Sequence, residues 1–291
     1  MKLSEMREAL TARGIQLSKS LGQNFLHDGN QLRRIVDAAE VTRQDKVLEI
    51  GPGLGPLTER LVECAGEVLA IEKDVRLVEV LQERLVVGQA SRLSPSSKKS
   101  ETGATPVLRL LHDDALEFLR REPRDWSDWK LVANLPYSVA SPILVELAQA
   151  HGRPQRMVAT LQLEVARRLM AKSGEGDYGV LTLLIQLDYE PRDWFKIPAS
   201  CFFPAPDVDS ACVVLVRRAR ALLNGEDRQS FLRIVKRGFS QRRKMMMKLL
   251  KKDWPEDRLA VAFERLNLSP QVRAEAISLE QFIELARVLH P

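Results

Sequence analysis

The chain has 291 residues, 45% hydrophobic and 29% charged, with 44 basic against 39 acidic side chains for a formal net charge of +5. That is the balance of a folded globular protein, which excludes global disorder, and the length allows one large α/β domain with an appendage or two ordinary domains. No apolar run approaches the roughly 18–20 residues that a bilayer requires, the best being 180–187, interrupted by Thr182 and Gln186. The opening residues, with Glu5 and Glu8 and no apolar core, do not read as a secretory signal, so a cytoplasmic location is expected. Cys64, Cys201 and Cys212 form no paired framework, and His27, His112, His151 and His290 show no ligand spacing, so no metal is expected.

From Lys46 onward, short apolar runs alternate with amphipathic stretches. Residues 46–50, 67–72, 107–111, 130–133 and 156–161 read as strands; residues 57–64, 75–86, 142–150 and 164–170 read as helices. This β-α-β-α order predicts a mainly parallel sheet covered on both faces. The polar stretch 88–106 is too long for an ordinary connection and reads as a flexible surface insertion. Residues 181–188 and 211–216 look like a hairpin-type pair of strands around a proline-rich loop. From about Leu222 the pattern is helical, which places a domain boundary near Asn224-Gly225: residues 1–220 against 221–291. Between Arg217 and Lys252 stand thirteen basic and two acidic residues, a local +11 that leaves −6 for the remainder. Such asymmetry suits a surface that receives a polyanion, although a solvated helix face would show the same composition. Within this segment Arg242, Arg243, Lys244 and Lys248 could lie on one helix whose other side is Met246, Met247, Leu249 and Leu250.

The first strand runs into Gly51-Pro52-Gly53-Leu54-Gly55-Pro56, preceded by Glu49. Glycines between a strand and a helix let backbone approach a ligand closely. The dinucleotide fingerprint would need glycine where Pro56 stands, and no Gly-Lys-Ser/Thr follows, so a triphosphate loop is excluded. Glu72, at the end of the second strand, can accept from ribose hydroxyls. A ligand carrying adenosine without phosphates, S-adenosylmethionine, fits best; a structural turn and a degenerate NAD site are the alternatives. Asp113 and Asp114 follow the third strand, where a carboxylate could accept from an adenine amine or simply cap the next helix. The fourth strand ends in Asn134-Leu135-Pro136-Tyr137. An aromatic amine has its lone pair delocalised into the ring, so methylating it calls for two acceptors that grip both hydrogens and restore pyramidal geometry. The Asn134 side-chain oxygen and the Leu135 carbonyl, stiffened by Pro136, suit that task, and Tyr137 offers a face for a splayed-out base.

These residues, with Lys19-Ser20-Leu21-Gly22-Gln23-Asn24-Phe25-Leu26, Phe203 to Ser210, Gly238 to Lys244 and Arg273-Ala274-Glu275, resemble the small-subunit ribosomal RNA adenine dimethyltransferase family over nearly the whole chain. The resemblance implies a Rossmann-like class I S-adenosylmethionine-dependent methyltransferase domain (α/β) followed by a small all-helical RNA-binding domain. It implies dimethylation of two adjacent adenosines near the 3′ end of small-subunit ribosomal RNA, with the immature 30S particle as partner and a monomeric enzyme. Asn24, Leu26, Gly51, Gly53, Glu72, Asp114 and Asn134 would line the cofactor pocket. Asn134 and Leu135 would act on the target amine, and Tyr137 and Phe203 would sandwich the target base. Arg242, Arg243, Lys244 and Lys248 are the candidate RNA contacts. The chain departs from the family's usual residues at Lys73, Asp113, Ser138 and Leu163. A large-subunit enzyme conferring antibiotic resistance and a non-catalytic ribosome-assembly factor are the rival readings.

Overall fold

The computed structural model describes residues 1–17, 22–86, 106–241 and 243–289. Lys19, Ser20, Leu21, Arg242 and, apart from Pro106, the expected insertion at 88–106 lie outside the described residues. In chain order the elements are α1 (Leu3–Ala12), β1 (Phe25–Leu26), α2 (Gly29–Ala39), β2 (Lys46–Ile50), α3 (Pro56–Cys64), β3 (Glu67–Glu72), α4 (Val75–Leu81), β4 (Val107–His112), α5 (Ala115–Arg121), β5 (Trp129–Asn134) and α6 (Ala140–Gln149). They continue with β6 (Arg156–Gln162), α7 (Leu163–Met170), α8 (Val180–Gln186), β7 (Tyr189–Ile197), β8 (Phe202–Phe203), β9 (Ser210–Arg217), α9 (Gly225–Gly238), α10 (Met246–Leu250), α11 (Glu256–Arg265) and α12 (Leu279–Leu289). None of these helices is long and apolar enough to cross a membrane.

Seven strands form one sheet in the order β4-β3-β2-β5-β6-β9-β7 among the described residues. Strands β2 to β6 pair in parallel, and β9 runs antiparallel to β6. The five parallel strands fall where the apolar runs predict them: β2, β3, β5 and β6 are largely buried, while β4, at the edge, keeps exposed positions. The chain winds outward from β2 through β3 to β4, then returns to lay β5 on the other side of β2. The switch point between β2 and β5 opens a crevice at their carboxyl ends, where ligands bind in such sheets. This is the Rossmann-like arrangement the sequence predicts.

The chain divides into two compact units, residues 1–166 with 192–217 and residues 167–191 with 218–291. The boundary at 220/221 is thereby corrected: α8 and its flanking loops belong to the helical unit. Residues 181–188, expected as a strand, are mostly helix. Thr182 and Gln186, four apart on one helical face, explain the choice. Thr182 Oγ1 accepts from Gly179 N at 3.1 Å and donates to Arg168 O at 2.6 Å, while Gln186 Nε2 donates to Leu169 O and Ala171 O at 2.9 and 3.1 Å. Leu183 and Leu187 then enter the core of the helical unit with Phe231, Ile234, Phe263 and Phe282. The strand beside β9 is instead β7, charged and containing Pro191, a composition tolerated because β7 is an edge strand.

The loop 171–179 is fastened to the helical unit by the buried Tyr178 hydroxyl, which donates to Ile277 O at 2.9 Å. Tyr178→Phe leaves that carbonyl without its partner and should destabilise the helical unit by about 1–2 kcal/mol. Denaturant unfolding and amide exchange around Ile277 check this; unchanged stability and protection would contradict the revised boundary.

Candidate active site

The site is built on the carboxyl ends of β2, β3, β4 and β5, all within the sheet unit. After β2, Gly53 has φ +61° and its N–H donates to Glu72 Oε2 at 3.0 Å. A Cβ on Gly53 would stand 2.6 Å from the Phe25 ring, so only glycine lets the loop lie this close to the N-terminal segment. Gly55 takes φ +85° and Pro56 opens α3 at its first turn, where a missing N–H costs nothing. That is why the loop reads as Gly-x-Gly-x-Gly-Pro and departs from the dinucleotide pattern.

Glu72 is buried at the end of β3 and also accepts from Asp74 N at 2.9 Å. Burial raises its carboxyl above the ordinary range, against the opposing pull of the Asp74, Gly53 and Lys73 backbone N–H groups. Asp74 caps α4 and receives Gln23 Nε2 at 2.9 Å, which ties the segment before β1 to the cleft wall. Beneath the loop, Glu49 is 1% exposed, and its Oε2 has no hydrogen-bond partner among the described residues. Burial pushes its carboxyl up to about 8, with Thr58 opposing and Glu72 adding to the shift.

At the end of β4, Asp114 serves as the cap of α5: its Oδ1 accepts from Leu116 N at 2.9 Å and Glu117 N at 3.1 Å. Its Oδ2 accepts from Lys73 Nζ at 2.8 Å, and that ammonium holds the carboxyl below the usual range. At the end of β5, Asn134 Nδ2 donates to the Asn24 carbonyl at 2.9 Å. A carbonyl can only accept, so this bond fixes which way the amide faces. Asn134 Oδ1 is left buried with no partner among the described residues. Leu135 N is tied to Thr160 O at 3.0 Å, and the Tyr137 hydroxyl shares a 2.6 Å hydrogen bond with Ser210 Oγ.

Asn24, Gly51, Gly53, Glu72, Asp114, Asn134, Leu135 and Tyr137 therefore line one cleft, which spans about 850 Å³ with the open solvent at its mouth included. Leu26 does not line it; buried in the core, it borders a smaller pocket with Glu49 and Asn134. Phe203 is also elsewhere, half-buried in the β1–β8 ladder opposite Phe25, with the Arg7 guanidinium 5.1 Å above its ring. Sequence reasoning passed over Gln23 and Ser210 as site residues and met Lys73 as a departure at the edge of the pocket; Asp74 it could have found from the helix-cap position before Val75.

In the helical unit, Arg243, Lys244 and Lys248 are exposed and make no ion pair among the described residues. The expected single helix is corrected: α9 ends at Gly238, Lys244 N closes a turn on Gln241 O at 3.1 Å, and only Lys248 lies on α10. The break follows from Met246 N donating to Val272 O at 2.9 Å, which redirects the chain. Met246, Leu249 and Leu250 are buried and Met247 is packed against the core, as the apolar side requires. Part of the local charge is spent internally, with Arg228 on Asp188 at 2.7 Å and both Arg233 and Arg237 on Asp253.

The family described as ribosomal RNA adenine dimethylase matches residues 14–290. The chain belongs to that family. A ribosomal RNA small subunit methyltransferase A of Protochlamydia amoebophila (strain UWE25) is 37% identical over 289 residues, covering 99% of this chain and 97% of the relative. Its namesake in Streptococcus sanguinis (strain SK36) is 37% identical over 292 residues, covering 98% and 96%. Among solved structures, the 23S rRNA methyltransferase ErmE is 28% identical with a TM-score of 0.68, covering 91% of this chain and 99% of that one. A dimethyladenosine transferase from Plasmodium falciparum shares the fold, with a TM-score of 0.73 at 23% identity over 90% of this chain and 95% of that one. The dimethylase family is thus the one the sequence motifs resemble.

Because the fold raises the Glu49 carboxyl from 4.5 to about 8, it favours the protonated form. The associated stability is complete below about pH 4.5 and is lost as pH rises through about 8; Glu72 shifts in the same direction. Glu49→Gln should therefore flatten the fall in Tm between about pH 5 and 9. Parallel wild-type and variant curves of Tm against pH would contradict the assignment.

Proposed function

We propose that this chain uses S-adenosylmethionine to dimethylate the N6 amines of two adjacent adenosines near the 3′ end of small-subunit ribosomal RNA, acting as a monomer on the immature small-subunit particle. The small-subunit relatives, 37% identical over nearly the whole chain, support this choice over the large subunit, whose enzyme is 28% identical.

The observation that carries the reading is the buried, unpartnered Asn134 Oδ1 in the cleft. Leaving a buried acceptor unsatisfied costs about 1–3 kcal/mol, and an arriving amine donor recovers it. The acidic lining also fits a cationic cofactor: Glu72 would receive the ribose hydroxyls, Asp114 the adenine amine, and Gly51, Gly53 and Asn24 would border the remainder. When bound, S-adenosylmethionine supplies an electrophilic methyl group on a sulfonium.

Asn134 Oδ1 and the Leu135 carbonyl accept the two N6 hydrogens, pulling the nitrogen toward pyramidal geometry and turning its lone pair into the cleft. The Leu135 N–H bond to Thr160 O keeps that carbonyl in place. Tyr137, its hydroxyl tethered to Ser210, presents a face for the extruded base, worth about 1–3 kcal/mol; Phe203, paired with the cleft-lining Phe25, is the proposed second face. The methylated nitrogen is strongly acidic, so its proton leaves without a dedicated base, and the rate comes from positioning and preorganised acceptors.

Asn134→Ala should bind cofactor as wild type does yet transfer labelled methyl to small-subunit RNA on the order of a hundredfold more slowly in a single turnover. A near-wild-type rate would overturn the amine-gripping role, and no transfer by the wild-type chain would overturn the function. For the helical unit, replacing Arg243, Lys244 and Lys248 with Gln should flatten the slope of log affinity against log salt by about two to three units if each meets a phosphate. An unaltered slope would move the RNA contact to another surface.

A further inference from the structure

Lys73 and Asp114 close one side of the cleft. They follow the paired ends of β3 and β4, where Glu72 lies opposite His112, and both line the cleft. Every oxygen of the Asp114 carboxylate is engaged: Oδ1 holds the first N–H groups of α5, and Oδ2 holds the Lys73 ammonium at 2.8 Å. A ligand amine reaching Asp114 from the cleft finds only Oδ2 uncommitted to the helix, and that atom already faces a full positive charge. The Lys73 side chain is 61% exposed, so it can swing into water at little cost. Of the neighbouring carboxylates, Asp113 is paired with Arg121 at 2.6 Å and Asp74 with Arg76 at 2.6 Å, while Glu117 adds a weaker attraction on the ammonium than Asp114 does. The backbone carbonyl of Lys73 is fixed separately, by His112 Nε2 at 3.2 Å, so the main chain need not move when the side chain does.

We propose that Lys73 sets the affinity of the cleft for its cofactor by competing with the adenine amine for Asp114 Oδ2, so that the Lys73–Asp114 pair opens each time the cofactor enters. This rests on the reading that the cleft binds S-adenosylmethionine through Asp114. The competition has two signatures. Removing the ammonium should tighten binding, since Oδ2 becomes available to the adenine amine. Salt should also tighten binding to the wild-type chain, because screening weakens the pair that must open.

The test is calorimetric titration of S-adenosylhomocysteine, the demethylated cofactor, into wild type, Lys73→Met and Lys73→Arg at low and high salt. Lys73→Met keeps the length of the side chain, and Asp114 keeps its helix-capping bonds, so folding is preserved; thermal melts verify it. The expected result is a roughly two- to five-fold tighter Kd for Lys73→Met at low salt, the reach of an exposed ion pair. Wild type and Lys73→Met should converge at high salt, while Lys73→Arg should follow wild type. Equal or weaker binding by Lys73→Met, with wild type binding normally, would overturn the competition and leave the cofactor reading standing. Failure of all three proteins to bind S-adenosylhomocysteine would overturn the cofactor reading itself.

Discussion

The bond from Asn134 Nδ2 to the Asn24 carbonyl orders much of the site. It joins the end of β5 to a segment 110 residues earlier in the chain and fixes the amide orientation. Asn134 Oδ1 is then left without a partner among the described residues, on a residue that lines the cleft. The same N-terminal segment is held at a second point by Gln23 on Asp74, and Phe25 packs on Gly53. Four segments of the chain are thus locked together by two hydrogen bonds and one ring. The unsatisfied oxygen at their centre costs stability in the free protein, as functional sites commonly do.

Electrostatics divide the labour between the two units. Glu72 and Asp114 place carboxyl groups at the carboxyl ends of β3 and β4, a lining that suits a cation. Such a lining would repel a nucleic acid backbone, and the chain carries its excess positive charge elsewhere, in residues 217–252. Even there the charge is not uniform. Arg228, Arg233 and Arg237 are held by Asp188 and Asp253 and brace the helices; Arg243, Lys244 and Lys248 remain available for phosphates.

The parallel sheet was legible because its inner strands β2, β3, β5 and β6 are largely buried and read as continuous apolar runs. The glycine loop, Glu72, Asp114 and Asn134 were legible because strand ends at a switch point carry polar groups for a reason. The run 181–188 was misread as a strand: its residues are mostly apolar, and such a run serves a strand or a buried helix equally. The deciding signal was polar, the i, i+4 spacing of Thr182 and Gln186. Strand β7 was hidden for the opposite reason, since an edge strand can be charged and contain proline. Leu26 and Phe203 came from resemblance alone, and no periodicity could show that one is core and the other sits in a small ladder. Lys73 was visible as a departure, but its pairing depends on the register of β3 with β4, which sequence spacing does not encode.

The central claim is that Asn134 keeps one oriented acceptor for the target amine while its amide nitrogen stays on Asn24. A structure of the protein with S-adenosylhomocysteine and adenosine monophosphate tests this most directly. The account predicts N6 of the adenine within about 2.7–3.2 Å of Asn134 Oδ1, a second contact from N6 to the Leu135 carbonyl, and the Asn134–Asn24 bond intact. An adenine whose N6 is held by other groups, or an Asn134 side chain turned away from Asn24, would contradict it.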